Sequence, residues 1–227
     1  MKTLAIVIPA YNEAPAIGAL LRSLPKKVTG IDIIIPIVID DGSNDTTTQI
    51  AQKSNAWVCT HPINLGVGCA TRTGFTAANK HNADIIVTMD GDGQHSPSDL
   101  EKLIEPILTK KADIVFGNRF TQLRTMPFQR KIGNRILTLM TWLTTGMRIS
   151  DSQCGYRAYS HNAVKKMHLI QPGFEICSEI VGETKRAHLS YAQVPVKTIY
   201  DIHHKKSQNP LNAINIIFRM IERLLWN

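Results

Sequence analysis

Short apolar runs alternate with helical patterns along the first half of the chain. A strand is predicted at Leu4–Ile8, which is a continuous apolar run, and another at Ile85–Met89, which opens with the apolar run Ile85–Val87. Such runs are typical of strands that are buried on both faces. Between them, apolar residues recur at helical spacing over 17–24, and Pro25 then ends the helix. Further strands are predicted at Ile33–Ile39, Trp57–Cys59 and Ile114–Phe116, and further helices over 46–53, 66–79 and 96–108. Pro36 indicates an edge position or a bulge in its strand. This alternation predicts an α/β fold with a doubly wound, mostly parallel sheet.

The pattern loosens after about residue 120. Gln129–Thr144 is predicted to be an amphipathic helix with basic residues in its first turns. Strands are predicted at Gly155–Tyr159 and Gln193–Ile199, and a terminal amphipathic helix at Pro210–Trp226. The sequence shows neither an internal repeat nor a low-complexity linker. It therefore predicts one compact domain over 1–227.

The composition is that of a globular protein with a basic balance. Hydrophobic residues make up 43% of the 227, and 26 Lys and Arg against 18 Asp and Glu give a net charge of +8. This excess favours an anionic partner such as a phosphate, nucleic acid or an anionic membrane. The four cysteines form no C-x-x-C and no zinc spacing, so we interpret them as idle thiols in a reducing compartment.

The lengths of the apolar runs also indicate where in the cell the protein is located. None of the uncharged runs approaches the ~20 residues needed to cross a bilayer. The N-terminal run is followed by the polar residues Tyr11, Asn12 and Glu13 without a small-residue cleavage site, so it is interpreted as a first strand rather than a signal peptide. The expected location is the cytoplasm, either free or peripheral at the cytoplasmic face of the membrane.

Two carboxylates one residue apart, Asp90 and Asp92, follow the strand predicted at Ile85–Met89. Open α/β sheets bind their ligands beyond the carboxyl ends of the strands. Mg²⁺ takes oxygen ligands and is usually held by one or two carboxylates together with substrate phosphates. The Asp-x-Asp pair therefore predicts a divalent-cation site beside a diphosphate.

Four polar loops follow four predicted strands, at 9–13, 40–45, 61–68 and 90–94. In a parallel sheet all four face one edge, where acidic groups could accept hydrogen bonds from a base or ribose. Glycine-rich backbone around Gly68, together with Arg72, could approach phosphates. Each loop alone is equally consistent with a turn and a helix cap. Their order and spacing together carry the interpretation.

Six sequence blocks stand in order between residues 3 and 200: VIPAYNE, VIDDGSNDTT, NLGVGCATRTGF, DIIVTMDGDGQHSPSDL, DIVFGNRF and DSQCGYRAYS. They resemble the signature blocks of glycosyltransferase family 2, and within it the dolichyl- and polyprenyl-phosphate mannose and glucose synthases. The resemblance implies a GT-A fold, a UDP- or GDP-linked sugar donor, Mg²⁺ or Mn²⁺, and inversion at the anomeric carbon. It implies a nucleotide-sugar-binding half over 1–120, an acceptor half over 121–205 and a C-terminal amphipathic helix over 206–227.

The resemblance also implies roles for individual residues. The nucleotide would be contacted by Pro9, Tyr11 and Glu13, and its base and ribose by Asp40 and Asp41. The metal and diphosphate would be held by Asp90, Asp92 and Gln94. Arg119 and Arg130 would bind an acceptor phosphate, and Asp151 and Arg157 would line the site.

The acceptor decides whether a base is needed. A lipid phosphate is already ionised at neutral pH, so arginines that position it matter more than a base. A sugar hydroxyl needs a carboxylate base, for which Asp151 is the candidate. We expect a polyprenyl phosphate, with a soluble or saccharide hydroxyl as the alternative. The sequence leaves the nucleotide base and the sugar open.

Two other classes of protein share some of these features. Phosphatases of the haloacid-dehalogenase kind also place Asp-x-Asp after a strand, but they need Thr or Val where this chain has Gln94. A nucleic-acid-binding protein would explain the net charge but not the clustered acidic loops, so we expect no nucleic-acid partner. The terminal helix either packs on the domain or lies in a membrane interface, and a membrane-protein partner is the further alternative.

Overall fold

The computed structural model describes residues 1–120 and 128–199, and the side chains of 128–130 lie outside the description. Its strands are Thr3–Ala10 (β1), Ile33–Asp40 (β2), Trp57–Thr60 (β3), Ile85–Thr88 (β4), Ile114–Asn118 (β5), Arg157–Ser160 (β6) and Tyr191–Pro195 (β7). Its α-helices are Ala14–Ser23 (α1), Thr47–Lys53 (α2), Val67–Lys80 (α3), Leu100–Leu108 (α4), Phe128–Thr145 (α5), His161–Lys166 (α6) and Ile176–Arg186 (α7). A 3₁₀ turn, Pro97–Asp99, leads into α4.

The described strands form one sheet in the order β3-β2-β1-β4-β6-β5-β7. β1, β2, β3 and β4 run parallel to one another, and β5 is parallel to β7. β6 runs antiparallel to both of its neighbours, β4 and β5. The loops after β1, β2, β3, β4 and β5 therefore share one edge of the sheet. Because β6 runs the other way, the segment that precedes it also lies at that edge. The predicted mostly parallel sheet is confirmed.

Helices cover both faces of the sheet. Along β1, Leu4, Ile6 and Ile8 point to one face and Ala5 and Val7 to the other, as the strand period requires. The first face packs against the apolar sides of α1 and α4, and the second against those of α3, α6 and α7. A strand that is buried on both faces consists mainly of consecutive apolar residues, which is why the sequence pattern predicted β1 and β4.

The interpretation of Pro36 needs correction. β2 pairs with β1 without a bulge, with Pro36 opposite Ile6, and with β3 on its other side, so it is an interior strand. The pairing with β3 begins only at Ile37. Pro36 thus stands where β2 has no partner on the β3 side, and its missing N–H costs no ladder hydrogen bond there.

Three other expectations concern single elements. α2 begins as predicted, and the carboxylate of Asp45 accepts the N–H of Thr47 at 2.9 Å. The helix predicted at Pro210–Trp226 lies outside the described residues. Among the helices that the structure describes, none combines the length and hydropathy needed to span a bilayer.

Candidate functional site

The carboxylate of Asp90 lies against the backbone of Gly155 at the carboxyl edge of the sheet. Asp90 follows β4, and its side chain is 46% exposed. A Cβ atom on Gly155 would lie 2.5 Å from Asp90 Oδ1 and 2.8 Å from Oδ2. The hydroxyl of Thr88, at the end of β4, donates to the Gly155 carbonyl at 2.7 Å and fixes this approach. The sequence analysis did not single out Gly155, which becomes visible only when β6 is known to pair with β4.

His95 holds the Asp90 carboxylate through a hydrogen bond. Its Nε2 lies 2.9 Å from Asp90 Oδ2, and its buried ring packs on Tyr156 with 5.1 Å between centroids. Partial desolvation of the half-exposed Asp90 carboxylate raises its pKa, but the hydrogen bond and charge of His95, with the charges of Arg119 and Arg157, lower it overall. Asp90 is therefore ionised at neutral pH. His95 was not a predicted site residue, since a lone histidine gives no such signal in sequence.

Asp92 and Gln94 complete a tight turn beside Asp90. Asp92 Oδ1 accepts the N–H of Gln94 at 2.9 Å, and Gly93 turns the chain with φ +73°. In residues 1–120 and 128–199, no three His, Cys, Asp or Glu side chains converge on a ready-made metal cage. Mg²⁺ does not require one, since it is usually held by one or two carboxylates and substrate phosphates. The half-exposed, ionised Asp90 therefore fits such a cation.

Arg119 and Asp151 form a bidentate ion pair at the same edge. Arg119 Nε lies 2.7 Å from Asp151 Oδ2, and Nη2 lies 2.9 Å from Oδ1. The backbone N–H of Arg119 also donates to Oδ2 at 3.2 Å. Asp151 is fully buried, and Arg119 is 14% exposed. The sequence analysis gave these residues separate roles, whereas the structure makes them one unit. Because Asp151 is fully buried and already accepts three hydrogen bonds from Arg119, its carboxylate is poorly placed to act as a base for a substrate hydroxyl.

Arg157 donates hydrogen bonds to the backbone of the segment before β6. Its guanidinium is buried and donates from Nε to the Cys154 carbonyl at 2.8 Å and from Nη2 to the Ser152 carbonyl at 2.6 Å. It also lies over the Phe116 ring, 5.2 Å from the centroid. Arg157 thus shapes the segment that carries Asp151 and Gly155, beneath the surface that it was predicted to line. Burial raises the pKa of the neighbouring Cys154 thiol to about 12, so that thiol is inert.

Asp40 and Asp41 stabilise the loops at this edge by accepting hydrogen bonds. Asp40 Oδ1 accepts the N–H of Ser43 at 2.9 Å, and Oδ2 accepts the hydroxyl of Thr48. Asp41 accepts the N–H groups of residues 65 and 66 at 3.0 and 2.8 Å and lies 2.7 Å from His61 Nδ1. Both side chains are buried. The contacts of Asp40 and Asp41 with base and ribose remain a prediction. They would have to use the lone pairs of the carboxylate oxygens that the protein's own donors leave unoccupied.

The amino end of α3 is covered by backbone from residues 169–172. The carbonyl of Pro172 accepts the N–H groups of Gly68 and Cys69 at 2.7 and 3.2 Å. A Cβ on Gly68 would lie 2.1 Å from the carbonyl oxygen of Gln171. Arg72 Nη1 donates to the Leu169 carbonyl at 3.3 Å. The N–H groups expected to face a phosphate near Gly68 are thus already used within the protein.

The loop after β1 is tied to the loop after β2. The N–H of Asn12 donates to Ser43 Oγ, and the N–H of Glu13 donates to Thr47 Oγ1, both at 2.9 Å. Tyr11 is 40% exposed at this edge, and Pro9 is partly buried in β1. Arg130 lies in the first turn of α5, but its side chain is outside the described residues.

The comparison with known proteins decides the family. A profile described as Glycosyl transferase family 2 matches residues 5–167. The chain belongs to glycosyltransferase family 2. The resemblance noted in the sequence is therefore confirmed, the chain is a glycosyltransferase, and the phosphatase alternative is wrong.

This glycosyltransferase is similar in sequence to two curated relatives and in fold to one solved structure. It is 34% identical over 243 residues to UDP-N-acetylglucosamine--dolichyl-phosphate N-acetylglucosaminyltransferase of Methanococcus voltae, covering 97% of this chain and 95% of that protein. It is 29% identical over 201 residues to undecaprenyl-phosphate mannosyltransferase of Micrococcus luteus, covering 84% and 81%. Glucosyl-3-phosphoglycerate synthase of Mycobacterium tuberculosis, solved with Mn²⁺, UDP and glucosyl-3-phosphoglycerate, matches with a TM-score of 0.76 at 24% identity, covering 99% of this chain and 79% of that one. At this identity the likeness shows the fold alone, which is the predicted GT-A fold.

Proposed function

We propose that this glycosyltransferase transfers a hexose from a nucleoside-diphosphate sugar to a polyprenyl phosphate, with Mg²⁺ or Mn²⁺ at the turn that carries Asp90 and Asp92. The observation that carries the proposal is the ionised, half-exposed carboxylate of Asp90, held against Gly155 at the carboxyl edge of the sheet. The relative of nearly equal length, named for UDP-N-acetylglucosamine and dolichyl phosphate, supports both substrate classes.

The donor diphosphate would lie beside the turn 90–94. Asp90 and Asp92 supply carboxylate oxygens and Gln94 an amide oxygen, which is a suitable donor set for a hard cation. When bound, such a cation would neutralise charge on the departing nucleoside diphosphate as a Lewis acid. His95 fixes the direction of the Asp90 carboxylate through the hydrogen bond to Oδ2. The exposed Tyr11 offers a surface for the nucleotide at the same edge.

An acceptor that is already ionised suits this site better than a hydroxyl. Asp151, the candidate base, has both oxygens engaged by Arg119. Arg119 brings a guanidinium to the sheet edge, and guanidinium groups bind phosphate oxygens in a fixed geometry. A phosphate acceptor needs no proton removed at neutral pH, so the ion pair is no obstacle to it. The peripheral location at the cytoplasmic face of a membrane belongs to this proposal.

The test is a transfer assay with labelled UDP- and GDP-sugars, a short-chain polyprenyl phosphate, and Mg²⁺ or Mn²⁺. We expect transfer with at least one donor and its loss on chelation. Asp92→Asn should abolish turnover without changing the thermal unfolding midpoint. Asp32→Asn is the matched control, because Asp32 is exposed and precedes β2 at the opposite edge. Full activity of Asp92→Asn would remove the metal role from the proposal.

The same assay separates the acceptors. Replacing the polyprenyl phosphate by the corresponding polyprenol, or by a soluble saccharide, should stop transfer if an ionised acceptor is required. Transfer to a saccharide hydroxyl, with none to the polyprenyl phosphate, would overturn the acceptor assignment. The donor panel also identifies the nucleotide base and the sugar.

A further inference from the structure

Gln153 lies on the stretch of chain that joins the two halves of the proposed site. At one end of this stretch, Asp151 pairs with Arg119, the proposed acceptor-binding residue. At the other end, Gly155 meets the carboxylate of Asp90, the proposed cation ligand. The transferred sugar is bonded first to the donor diphosphate and afterwards to the acceptor oxygen. With the donor and acceptor placed as proposed, the sugar therefore lies beside this stretch.

Gln153 carries the side chain of this stretch that reaches the surface. Asp151, Ser152 and Cys154 are buried, whereas Gln153 is partly exposed. The remaining residue, Gly155, has no side chain. Since a partly exposed amide can exchange water for a ligand, it can bind a substrate without being unsatisfied beforehand. The amide of Gln153 is thus the side-chain group of residues 151–155 that is placed to touch the sugar.

Two serine hydroxyls hold the amide of Gln153. Its Nε2 lies 3.1 Å from Ser152 Oγ and 3.2 Å from Ser178 Oγ, on α7. Amide nitrogen and oxygen are distinguished by their hydrogen-bond partners, so the direction of the amide depends on what these hydroxyls can offer.

The protons of the hydroxyl network fix that direction. Thr141 Oγ1 donates its single proton to the Leu137 carbonyl at 2.8 Å. Thr141 Oγ1 must therefore accept from Ser178 Oγ, which lies 2.9 Å away and spends its own proton on this bond. Towards Gln153, Ser178 can then only accept. Gln153 consequently presents its NH₂ group to the serines.

The amide oxygen of Gln153, Oε1, is left for a ligand. Since Nε2 and Oε1 leave the same carbon atom in different directions, anchoring Nε2 on the buried serines turns Oε1 away from them. None of the hydrogen bonds of Gln153 in the described part of the chain uses Oε1. An acceptor that is already fixed in direction loses little side-chain entropy when a ligand binds.

We propose that Gln153 determines which sugar this glycosyltransferase transfers, by accepting at Oε1 a hydrogen bond from a hydroxyl or acetamide N–H group of the hexose. The inference rests on the proposed function, because it needs the donor at Asp90 and the acceptor at Arg119. A site with a fixed acceptor rejects a sugar that lacks the matching donor, since that sugar leaves the acceptor unpaired. The sequence analysis quoted Gln153 within a family block and gave it no role.

The experiment measures binding to the full chain by calorimetry, with Mn²⁺ and without an acceptor. The probes are UDP and GDP alone, UDP- and GDP-hexoses, and monodeoxy analogues of the hexose that binds. We expect one monodeoxy analogue to bind the parent chain about tenfold more weakly than the intact sugar. Gln153→Leu should bind the intact sugar about tenfold more weakly and should not distinguish that analogue. The nucleoside diphosphate alone should bind both chains equally.

A second variant tests the anchoring of the amide. Ser178→Ala removes one of the two hydroxyls that hold Nε2, so the amide can reverse its direction. The preference for the intact sugar over the same analogue should fall about threefold. Gln52→Leu is the matched control, because Gln52 is an exposed glutamine on α2, and it should bind every probe as the parent chain does. Thermal unfolding establishes that each variant is folded.

Two results would overturn the proposal. One is equal binding of the intact nucleotide sugar by the parent chain and Gln153→Leu. The other is a loss of affinity in Gln153→Leu that is as large for the nucleoside diphosphate alone, because Gln153 would then shape the nucleotide site and not contact the sugar.

Transfer to the polyprenyl phosphate is measured separately on the same chains. Transfer by both chains with the same sugar preference removes only the role of Gln153. Sugar binding that depends on Gln153, without transfer to the polyprenyl phosphate, removes only the acceptor from the proposed function. A parent chain that binds no nucleotide sugar removes both.

Discussion

The Cα atom of Gly155 lies so close to the carboxylate of Asp90 that no side chain fits between them. A Cβ at position 155 would stand 2.5 Å from Oδ1, well inside any tolerated contact. Gly155 does not lie in the left-handed region of φ, so glycine is required here by the carboxylate and not by the backbone. The contact joins the turn after β4 to the segment before β6.

Gly155→Ala should therefore displace Asp90 while the chain still folds. If Asp90 holds the cation as proposed, a shift of about 1 Å in its carboxylate should lower turnover about a hundredfold. The measurement is kcat/KM for the donor, together with the thermal unfolding midpoint. Gly182→Ala is the control, because a Cβ there meets only Thr145 Cγ2 at an ordinary 3.6 Å. Parent-like turnover by Gly155→Ala would show that the position of Asp90 does not matter to the reaction.

The pair between Arg119 and Asp151 predicts a strong energetic coupling. Removing one partner of a buried ion pair leaves an uncompensated charge, so Asp151→Asn should lower the free energy of unfolding by about 3 kcal/mol. Arg119→Gln should cost a similar amount. The double variant should cost less than the sum of the two, with a coupling of about 1.5 kcal/mol or more by urea unfolding. Additive losses would contradict the ion pair.

The kinetics of Asp151→Asn separate a positioning role from a base. If Asp151 serves to hold Arg119 at an acceptor phosphate, KM for the acceptor should rise while KM for the donor stays the same. If Asp151 were the base, kcat would fall and both KM values would be unchanged. We expect the first pattern, since both carboxylate oxygens accept from Arg119.

The strands and their loops could be predicted because their signals are local. Runs such as Leu4–Ile8 are buried on both faces, and Asp90 directly follows one of them. The family blocks then supplied the order of the loops. What the periodicity could not show was the antiparallel insertion of β6 between β4 and β5, which is a pairing of distant segments.

That pairing explains which site residues were missed or misread. Gly155 meets Asp90, and Asp151 meets Arg119, only because β6 enters the sheet from the carboxyl edge. Asp41 was visible as an acidic residue after a strand, but its hydrogen bonds to residues 65 and 66 were not. Side-chain partners that are 20 or more residues apart leave no periodic signal in one sequence.

Gly68 provides a test of what the glycine-rich entry to α3 does. In a helix, Gly→Ala usually stabilises by up to about 1 kcal/mol. At Gly68 the new Cβ would stand 2.1 Å from the Gln171 carbonyl oxygen, so we expect Gly68→Ala to destabilise by about 1–3 kcal/mol. Urea unfolding measures this, with donor binding by thermal shift beside it. Unchanged stability with weakened donor binding would instead favour the phosphate contact predicted from sequence.

Glu183 predicts how stability depends on pH. This buried carboxylate accepts the N–H of His168 at 2.7 Å and pairs with Arg186 Nη2 at 2.7 Å. Burial raises the pKa of Glu183, but the hydrogen bonds from Arg186 and His168 and their charges lower it below its ordinary value. The ionised form therefore stabilises the fold above the unfolded-state pKa of about 4.5, and this contribution is lost as the pH falls through the lower, folded-state pKa.

Glu183→Gln should lower the unfolding midpoint at pH 7 by about 3 °C, since the amide keeps the geometry but loses the charge. The difference from the parent chain should shrink as the pH falls below the ordinary glutamate pKa of 4.5 and vanish once Glu183 is protonated in the folded chain, where both side chains are neutral. Thermal unfolding followed by circular dichroism across this range is the measurement. Glu105→Gln, an exposed change on α4, is the control and should show little difference at any pH. A deficit of Glu183→Gln that stays constant down to the lowest pH would mean that the charge of Glu183 contributes nothing to stability.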